Sequence, residues 1–329
     1  MRKPHGWIVL DKPVGLGSTQ AVGAVKRNLR EAGFGKVKVG HGGTLDPLAS
    51  GVLPIALGEA TKLAGRMLES DKEYEFTVRF GEETDTLDAE GEVVARSDRL
   101  PPRAAVAAIL AAFEGKIEQL PPAYSAIKID GKRAYDRARD GEAVKMKPRR
   151  VTIHELRFRD GEPTGEVVAS SFATTAGRPD PYDPAAPLEL SESVTLVAKV
   201  SKGTYIRSLA RDIARALGTV GHVTYLHRTR AGPFDLSQAI SLDKLNEIGK
   251  GAPLENVILP LEAGLDDIPA IDLSPEQVRT VRQGRVLTGM PQSDGLHWAR
   301  EGTVPVALVQ VQSGEIRVER GFNLQDVAE

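Results

Sequence analysis

Cysteine is absent from this 329-residue chain. That excludes disulfides, thiolate nucleophiles and every cysteine-based zinc or iron–sulfur site, so any chemistry rests on oxygen and nitrogen side chains. No apolar run approaches the roughly 20 residues that a membrane span requires. The opening Met1-Arg2-Lys3-Pro4-His5-Gly6 leads into a short strand-like segment rather than a signal-peptide core, and a cytoplasmic protein with no membrane partner is expected. A strong charge of either sign is also missing. The formal net charge is -2, so a polyanionic partner would have to be met by a local basic face, because Lys and Arg supply most of the affinity for phosphates. What remains is ordinary: 41% hydrophobic and 27% charged residues describe a globular chain, long enough for about two domains at roughly 150 residues each.

Trp7-Ile8-Val9-Leu10 reads as a short buried strand ended by Asp11-Lys12-Pro13, and Ser18 is a candidate cap for a helix carrying Val22, Val25 and Leu29 on one face. Lys36 to Val39 alternates as a strand, and Glu59 to Ser70 looks helical, which leaves His41 to Gly58 as a Gly-rich loop region. Lys72 to Phe80 alternates with Tyr74, Phe76, Val78 and Phe80 on one face. Helices are expected over Pro101–Glu114 and Thr204–Leu217, the latter with Arg207, Arg211 and Arg215 at four-residue intervals, and Val194–Val200 alternates as a strand. Asp130-Gly131 signals a hairpin turn. The Pro-rich stretch between Asp160 and Ser193 favours loop, and Gly249 to Pro253 marks a weak linker before a helix containing Val278 and Val281. The expected fold class is α+β, a mixed and largely antiparallel central sheet with flanking helices, plus a small C-terminal β-rich module.

Basic residues outnumber acids from Lys128 to Arg159, a stretch that includes Lys128, Arg149 and Arg150; it is either a nucleic-acid face or a solvated surface. Gly42-Gly43-Thr44-Leu45-Asp46-Pro47 can present one carboxylate rigidly, since glycines free the backbone before it and proline stiffens the residue after it. The plain alternative is a turn in which Asp46 accepts bonds from its own backbone. His41 and Asp46 could hint at a metal, yet no third ligand stands at suitable spacing, and no metal is expected.

A longer pattern surrounds Asp46. Val39-Gly40-His41-Gly42-Gly43-Thr44-Leu45-Asp46-Pro47-Leu48-Ala49-Ser50-Gly51-Val52-Leu53-Pro54, continued by Gly58-Glu59-Ala60-Thr61-Lys62, resembles the signature of the TruB family of tRNA pseudouridine synthases. Leu10-Asp11-Lys12-Pro13, Gln119 to Ala126 with Lys128, and Ser201-Lys202-Gly203-Thr204-Tyr205-Ile206-Arg207 follow in family order. The chain departs from that pattern in a Pro-rich insertion around Gly177–Pro187 and in Val200, where many relatives carry cysteine.

The resemblance implies a pseudouridine synthase catalytic domain over 1–262, with an RNA-binding insertion at about 119–150 and a mobile loop at about 174–190, and a PUA-like RNA-binding module over 263–329. It implies isomerisation of uridine to pseudouridine at position 55 in the T arm of tRNA, by covalent catalysis from Asp46 on a flipped-out base, with no cofactor. Attack on the base and attack on the sugar both remain open. By motif, Tyr74, Tyr205, Arg207 and Leu226 form the base pocket, with Arg207 paired to Asp46. His41, Lys62, Lys128, Arg149 and Arg150 engage RNA. The implied enzyme is the stand-alone bacterial type, a monomer acting on tRNA without guide RNA or protein partner. A guide-dependent synthase and a non-catalytic RNA-binding module are the alternatives.

Overall fold

The computed structural model describes residues 3–142, 144–160, 190–251 and 253–324. The Gly177–Pro187 stretch, and all of the 174–190 loop except Leu190, lie outside the described residues. The chain divides into two compact units, Met1–Ser70 with Thr229–Glu329, and Asp71–Arg228.

The first unit opens with β1 (Gly6–Lys12), α1 (Ser18–Glu31), β2 (Val39–His41) and β3 (Ser50–Leu57), followed by a 3-10 turn (Gly58–Leu63) and α2 (Ala64–Glu69). Trp7, Ile8, Val9 and Leu10 are all buried, the pattern of a strand covered on both faces. β1 and β3 pair antiparallel in unbroken register from Gly6↔Leu57 to Lys12↔Gly51. The alternating Lys36–Val39 segment becomes strand only at Val39, because β2 is set by its pairing with Leu57, Ala56 and Ile55 of β3 rather than by its own side-chain pattern. Gly17, and not Ser18, caps α1, with Gln20 Oε1 accepting the Gly17 N–H at 2.8 Å. Ser18 is thereby released for a different task.

The second unit runs through β4 (Lys72–Phe80), β5 (Glu82–Thr84), β6 (Val93–Arg96), α3 (Arg103–Leu110), β7 (Gly115–Gln119), β8 (Lys128–Ile129), β9 (Lys132–Arg133), α4 (Ala134–Arg139), β10 (Arg149–Phe158), β11 (Ser193–Val200), α5 (Ile206–Ala216) and most of β12 (Gly221–Ala231). Its strand order is β12-β4-β11-β10-β7, and β4·β11, β11·β10 and β10·β7 are all antiparallel. The Asp130-Gly131 turn closes the β8–β9 hairpin with both residues at positive φ, 50° and 84°, as a two-residue primed turn requires.

The chain then returns to the first unit with β13 (Phe234–Asp235), β14 (Ile240–Ser241), α6 (Leu242–Gly251) and β15 (Leu259–Pro260). β14 pairs parallel to β1 and β15 antiparallel to it, so the sheet is mixed and largely antiparallel, as expected. The expected linker at 249–253 is mostly helix instead. Gly249 lets α6 lie against α1, since a Cβ there would fall 2.1 Å from Asn28 Oδ1; the glycine serves close packing. Last come β16 (Ala270–Asp272), α7 (Pro275–Arg282), β17 (Gly295–Glu301), β18 (Val304–Gln312) and β19 (Glu315–Gly321), a four-stranded sheet in that order. Val278 and Val281 of α7 pack against Val306, Val309 and Val311. Trp298, Leu308 and Phe322 instead join Trp7, Leu63, Phe234 and Leu265 in one core, so the C-terminal sheet is packed within the first unit.

Candidate active site

In the first unit Asp46 is half-buried on the loop between β2 and β3, and its two neighbours are held from both sides. Ser18 Oγ donates to the Leu45 carbonyl at 2.9 Å and accepts the Leu45 N–H at 2.8 Å. On the other side the Pro47 carbonyl accepts the Gly15 N–H at 2.8 Å and Lys12 Nζ at 3.4 Å. Lys12 is itself fully buried and also donates to the carbonyls of Pro13 and Leu16 at 2.9 and 2.7 Å. The Asp46 carbonyl accepts the Ala49 N–H at 3.1 Å, which closes a turn. Gly42 lies where a Cβ would meet Met67 at 2.6 Å, so the loop approaches α2 more closely than any larger residue would permit. A carboxylate between two pinned backbone groups is aimed with little conformational freedom, the condition that proximity catalysis requires.

Tyr74, Tyr205, Arg207 and Leu226 all belong to the second unit. Tyr74 is half-buried on β4 opposite Ala198 of β11, on the face that carries Phe76 and Val78. Leu226 is buried on β12, the neighbouring strand. Two buried cations flank them in sequence, Lys72 and Arg228. Burial, reinforced by the Arg228 charge and opposed by Asp71, brings the Lys72 amine down to about 8.

Tyr205 caps α5 with extended backbone, and its N–H and C=O are both taken by the side-chain amide of Gln119. Gln119 Oε1 accepts the Tyr205 N–H at 2.8 Å, and Gln119 Nε2 donates to the Tyr205 carbonyl at 3.1 Å. The Arg149 guanidinium lies 5.6 Å from the Tyr205 ring centroid, within cation–π range.

Arg207 stands in the first turn of α5, where the helix dipole disfavours a cation. It is only 5% exposed. Asp88, 2% exposed, supplies compensation: its Oδ2 accepts Arg207 Nη1 at 3.0 Å. The carbonyls of Thr86 and Tyr124 accept the same guanidinium at 2.8 and 2.9 Å. Asp88 Oδ1 in turn accepts Thr86 Oγ1 at 2.6 Å and the Glu90 N–H at 3.0 Å. The turn before it places Leu87 at φ 63°, a conformation that costs a non-glycine residue about 1–3 kcal/mol. Arg207 is thus no exposed helix arginine, and within its own unit its acidic partner is Asp88.

The residues expected to engage RNA differ in their surroundings. Lys128 and Arg150 are exposed, the latter 3.8 Å from Glu118, while Arg149 is half-buried over Tyr205. Around them Tyr135 is approached by Arg133 and Arg139 at 5.7 and 5.6 Å. His41 accepts the Gly43 N–H through Nδ1 at 3.4 Å. Lys62 Nζ is engaged internally, with Glu59 at 2.7 Å and the Gly321 carbonyl at 2.8 Å. Sequence reasoning took Ser18 for a helix cap and assigned no role to Lys12, Asp88 or Gln119. Lys12 and Gln119 stand inside the quoted family segments and were within reach. Nothing in the spacing of Asp88 marks it as the partner of a residue so far along the chain.

Comparison with known proteins supplies the family. The model for the N-terminal domain of TruB family pseudouridylate synthases matches residues 30–176, and the model for the tRNA pseudouridylate synthase B C-terminal domain matches residues 207–266. The chain is 64% identical over 324 residues to tRNA pseudouridine synthase B of Novosphingobium aromaticivorans, covering 98% of this chain and 99% of that protein. It is 55% identical over 319 residues to tRNA pseudouridine synthase B of Zymomonas mobilis, with 97% and 96% covered. Among solved structures, a chain in the crystal structure of a Cbf5-Nop10-Gar1 complex is similar at TM-score 0.65 and 26% identity, over 97% of this chain and 85% of that one. Family models over both stretches, near-full-length relatives and the shared fold agree: the chain belongs to the TruB family and is a pseudouridylate synthase.

Proposed function

We propose that this enzyme converts uridine to pseudouridine at position 55 in the T arm of tRNA, with the Asp46 carboxylate as nucleophile and Tyr74, Tyr205, Arg207 and Leu226 around the flipped base. The observation that carries this reading is the clamp on Asp46, whose neighbours Leu45 and Pro47 are pinned by Ser18, Gly15 and Lys12, within a chain 64% identical to a protein named tRNA pseudouridine synthase B. The bond between ribose C1′ and uracil N1 breaks and a bond from C1′ to C5 forms. The proton on C5 is released, N1 takes one up, and the carboxylate returns unchanged. Nucleophilic catalysis divides this exchange into easier steps, and retention of the detached uracil exploits proximity. Tyr74 offers an aromatic face to the extruded base. Arg207 is the pocket's cation.

In the same reading the basic insertion at about 119–150, with Lys128, Arg149 and Arg150, follows the RNA backbone, as do His41 and Lys62. Residues 1–262 act as the catalytic domain and residues 263–329 as a PUA-like RNA-binding module. The enzyme works in the cytoplasm as a single chain, with no cofactor, guide RNA or protein partner.

Tritium release from tRNA labelled at uracil C5, with the modified position mapped, tests the proposal on the purified chain and bare tRNA. Asp46→Asn is expected to lower turnover by about 10³-fold or more with tRNA binding nearly intact. Unchanged turnover by Asp46→Asn would overturn the catalytic assignment, and a requirement for added RNA or protein would favour a guide-dependent enzyme.

A further inference from the structure

The basic insertion leaves the sheet at Gln119 and returns to it at Arg149, and these two residues are direct partners in the β7·β10 register. Between them lie the β8–β9 hairpin and α4. Both feet of the insertion grip the same residue. Gln119, fully buried, holds the backbone of Tyr205 by two hydrogen bonds, and Arg149 faces its ring. No side chain of α5's own cap residue bonds the helix start; the Gln119 amide takes that residue's N–H and shares its carbonyl with the Leu209 N–H. The first residues of the insertion are fastened to the same helix. The Leu120 carbonyl accepts Ser208 Oγ at 2.8 Å and Arg211 Nη2 at 3.0 Å, and the Tyr124 carbonyl accepts Arg207.

We infer that Gln119 is a positioning residue which, with Arg149, couples the docking of RNA on the basic insertion to the placement of Tyr205 in the base pocket. This rests on the reading of Tyr205 as a pocket residue. The reasoning is mechanical and electrostatic. A polyanion drawn to the insertion loads its two feet, and the paired feet transmit that load to one aromatic residue and to the helix start that carries Arg207. Arg149 contributes a second dependence, because a guanidinium that turns toward a phosphate gives up its place over the ring. A buried primary amide suits the Gln119 position since it satisfies one donor and one acceptor at once. Glutamate keeps the acceptor and loses the donor, and leucine loses both.

The test measures tRNA affinity by filter binding and the single-turnover rate at saturating tRNA for wild type, Gln119→Leu, Gln119→Glu, Arg149→Ala and the Gln119→Leu/Arg149→Ala pair. Gln119→Leu is expected to slow the saturated rate about tenfold while the Kd for tRNA changes by less than about threefold, with Gln119→Glu intermediate. The pair should fall short of the product of the single effects by about threefold or more, because both act on Tyr205. A saturated rate for Gln119→Leu within about twofold of wild type, a loss that resides wholly in Kd, or single effects that simply multiply would each overturn the coupling. Should Gln119→Leu fail to fold, Gln119→Glu, which has nearly the same shape, carries the same test. Tyr205→Leu separates this inference from its premise. A wild-type rate there overturns the pocket reading, whereas a slow Tyr205→Leu beside a fast Gln119→Leu overturns the coupling alone.

Discussion

The loop that carries Asp46 and the helix start that carries Tyr205 and Arg207 are both held firmly, by opposite means. Asp46 is aimed by bonds to the backbone on either side of it, from a serine, a glycine amide and a buried lysine that all lie within 35 residues. Tyr205 and Arg207 are held by a buried amide and a buried carboxylate drawn from 86 and 119 residues away. The first hold acts on the backbone of Leu45 and Pro47, whereas the second meets the need of a buried guanidinium for a charged partner.

The largest expected effect follows from that second requirement. Asp88→Ala removes the buried carboxylate that accepts Arg207 Nη1, and removal of one partner of a buried pair typically destabilises a fold by about 3–5 kcal/mol. Urea unfolding would measure this, and Asp88→Asn, which keeps an acceptor, should lose less. If Asp88→Ala unfolds at the wild-type urea concentration, the remaining contacts of Arg207 suffice and the contrast between the two regions disappears. Ser18→Ala comes next. It removes both bonds to Leu45 and should cost about 1–3 kcal/mol, with about a tenfold slower saturated rate because Asp46 is less well aimed. An unchanged rate with lowered stability would show that the clamp serves folding and not aim.

The same contrast explains what could be read in advance. β1, β4, β11 and α5 follow from periodicity, because each buries one face or a short continuous run, and the β8–β9 turn follows from Asp130-Gly131. The motif around Asp46 is contiguous, so the carboxylate stands out together with its family. The Asp88 contact to Arg207 and the Gln119 contact to Tyr205 exist only once distant segments are folded together, and no periodicity carries them. Ser18 was mistaken for a helix cap because serine beside a helix start is usually one; here a tertiary bond to Leu45 outweighs the local preference. Gly249 was taken for a linker residue for a similar reason, since the absence of a side chain serves flexible turns and tight helix contacts alike.

A smaller effect should appear at another buried cation, Lys72. The Lys72 amine is brought down to about 8 by burial and by Arg228, while the unfolded chain keeps its proton to about 10.4. Between those values the unfolded state binds more protons, so stability rises with pH across that window and the gain is absent below it. Melting temperatures of wild type and Lys72→Met should therefore diverge in favour of wild type between pH 8 and pH 10. Parallel curves would show that the amine is not held in its neutral form by the fold.

The smallest expected effect lies at the C-terminal strand, where Glu59 and Lys62 tie down the backbone of Gly321 and Asn323. Glu59 accepts the Asn323 N–H at 2.7 Å, and Lys62 bridges Glu59 to the Gly321 carbonyl. Partial burial pushes the Glu59 carboxyl up, but the Asn323 N–H and the Lys62 ammonium together outweigh it and hold the group below the usual glutamate range. A lowered carboxylate stabilises above its unfolded pKa and loses that contribution as the pH falls through the folded value. The tether should hold near neutrality and release only in acid below the ordinary glutamate transition. Glu59→Gln should cost less than about 1 kcal/mol overall, as partly exposed pairs do, yet remove the acid-dependent shift of the Asn323 amide resonance. A wild-type titration of that resonance at or above the value of a free glutamate would break the assignment. If wild type gives the expected acid shift and Lys62→Ala moves its midpoint upward, Lys62 has an internal task at Glu59, and any phosphate it meets in RNA competes with that task.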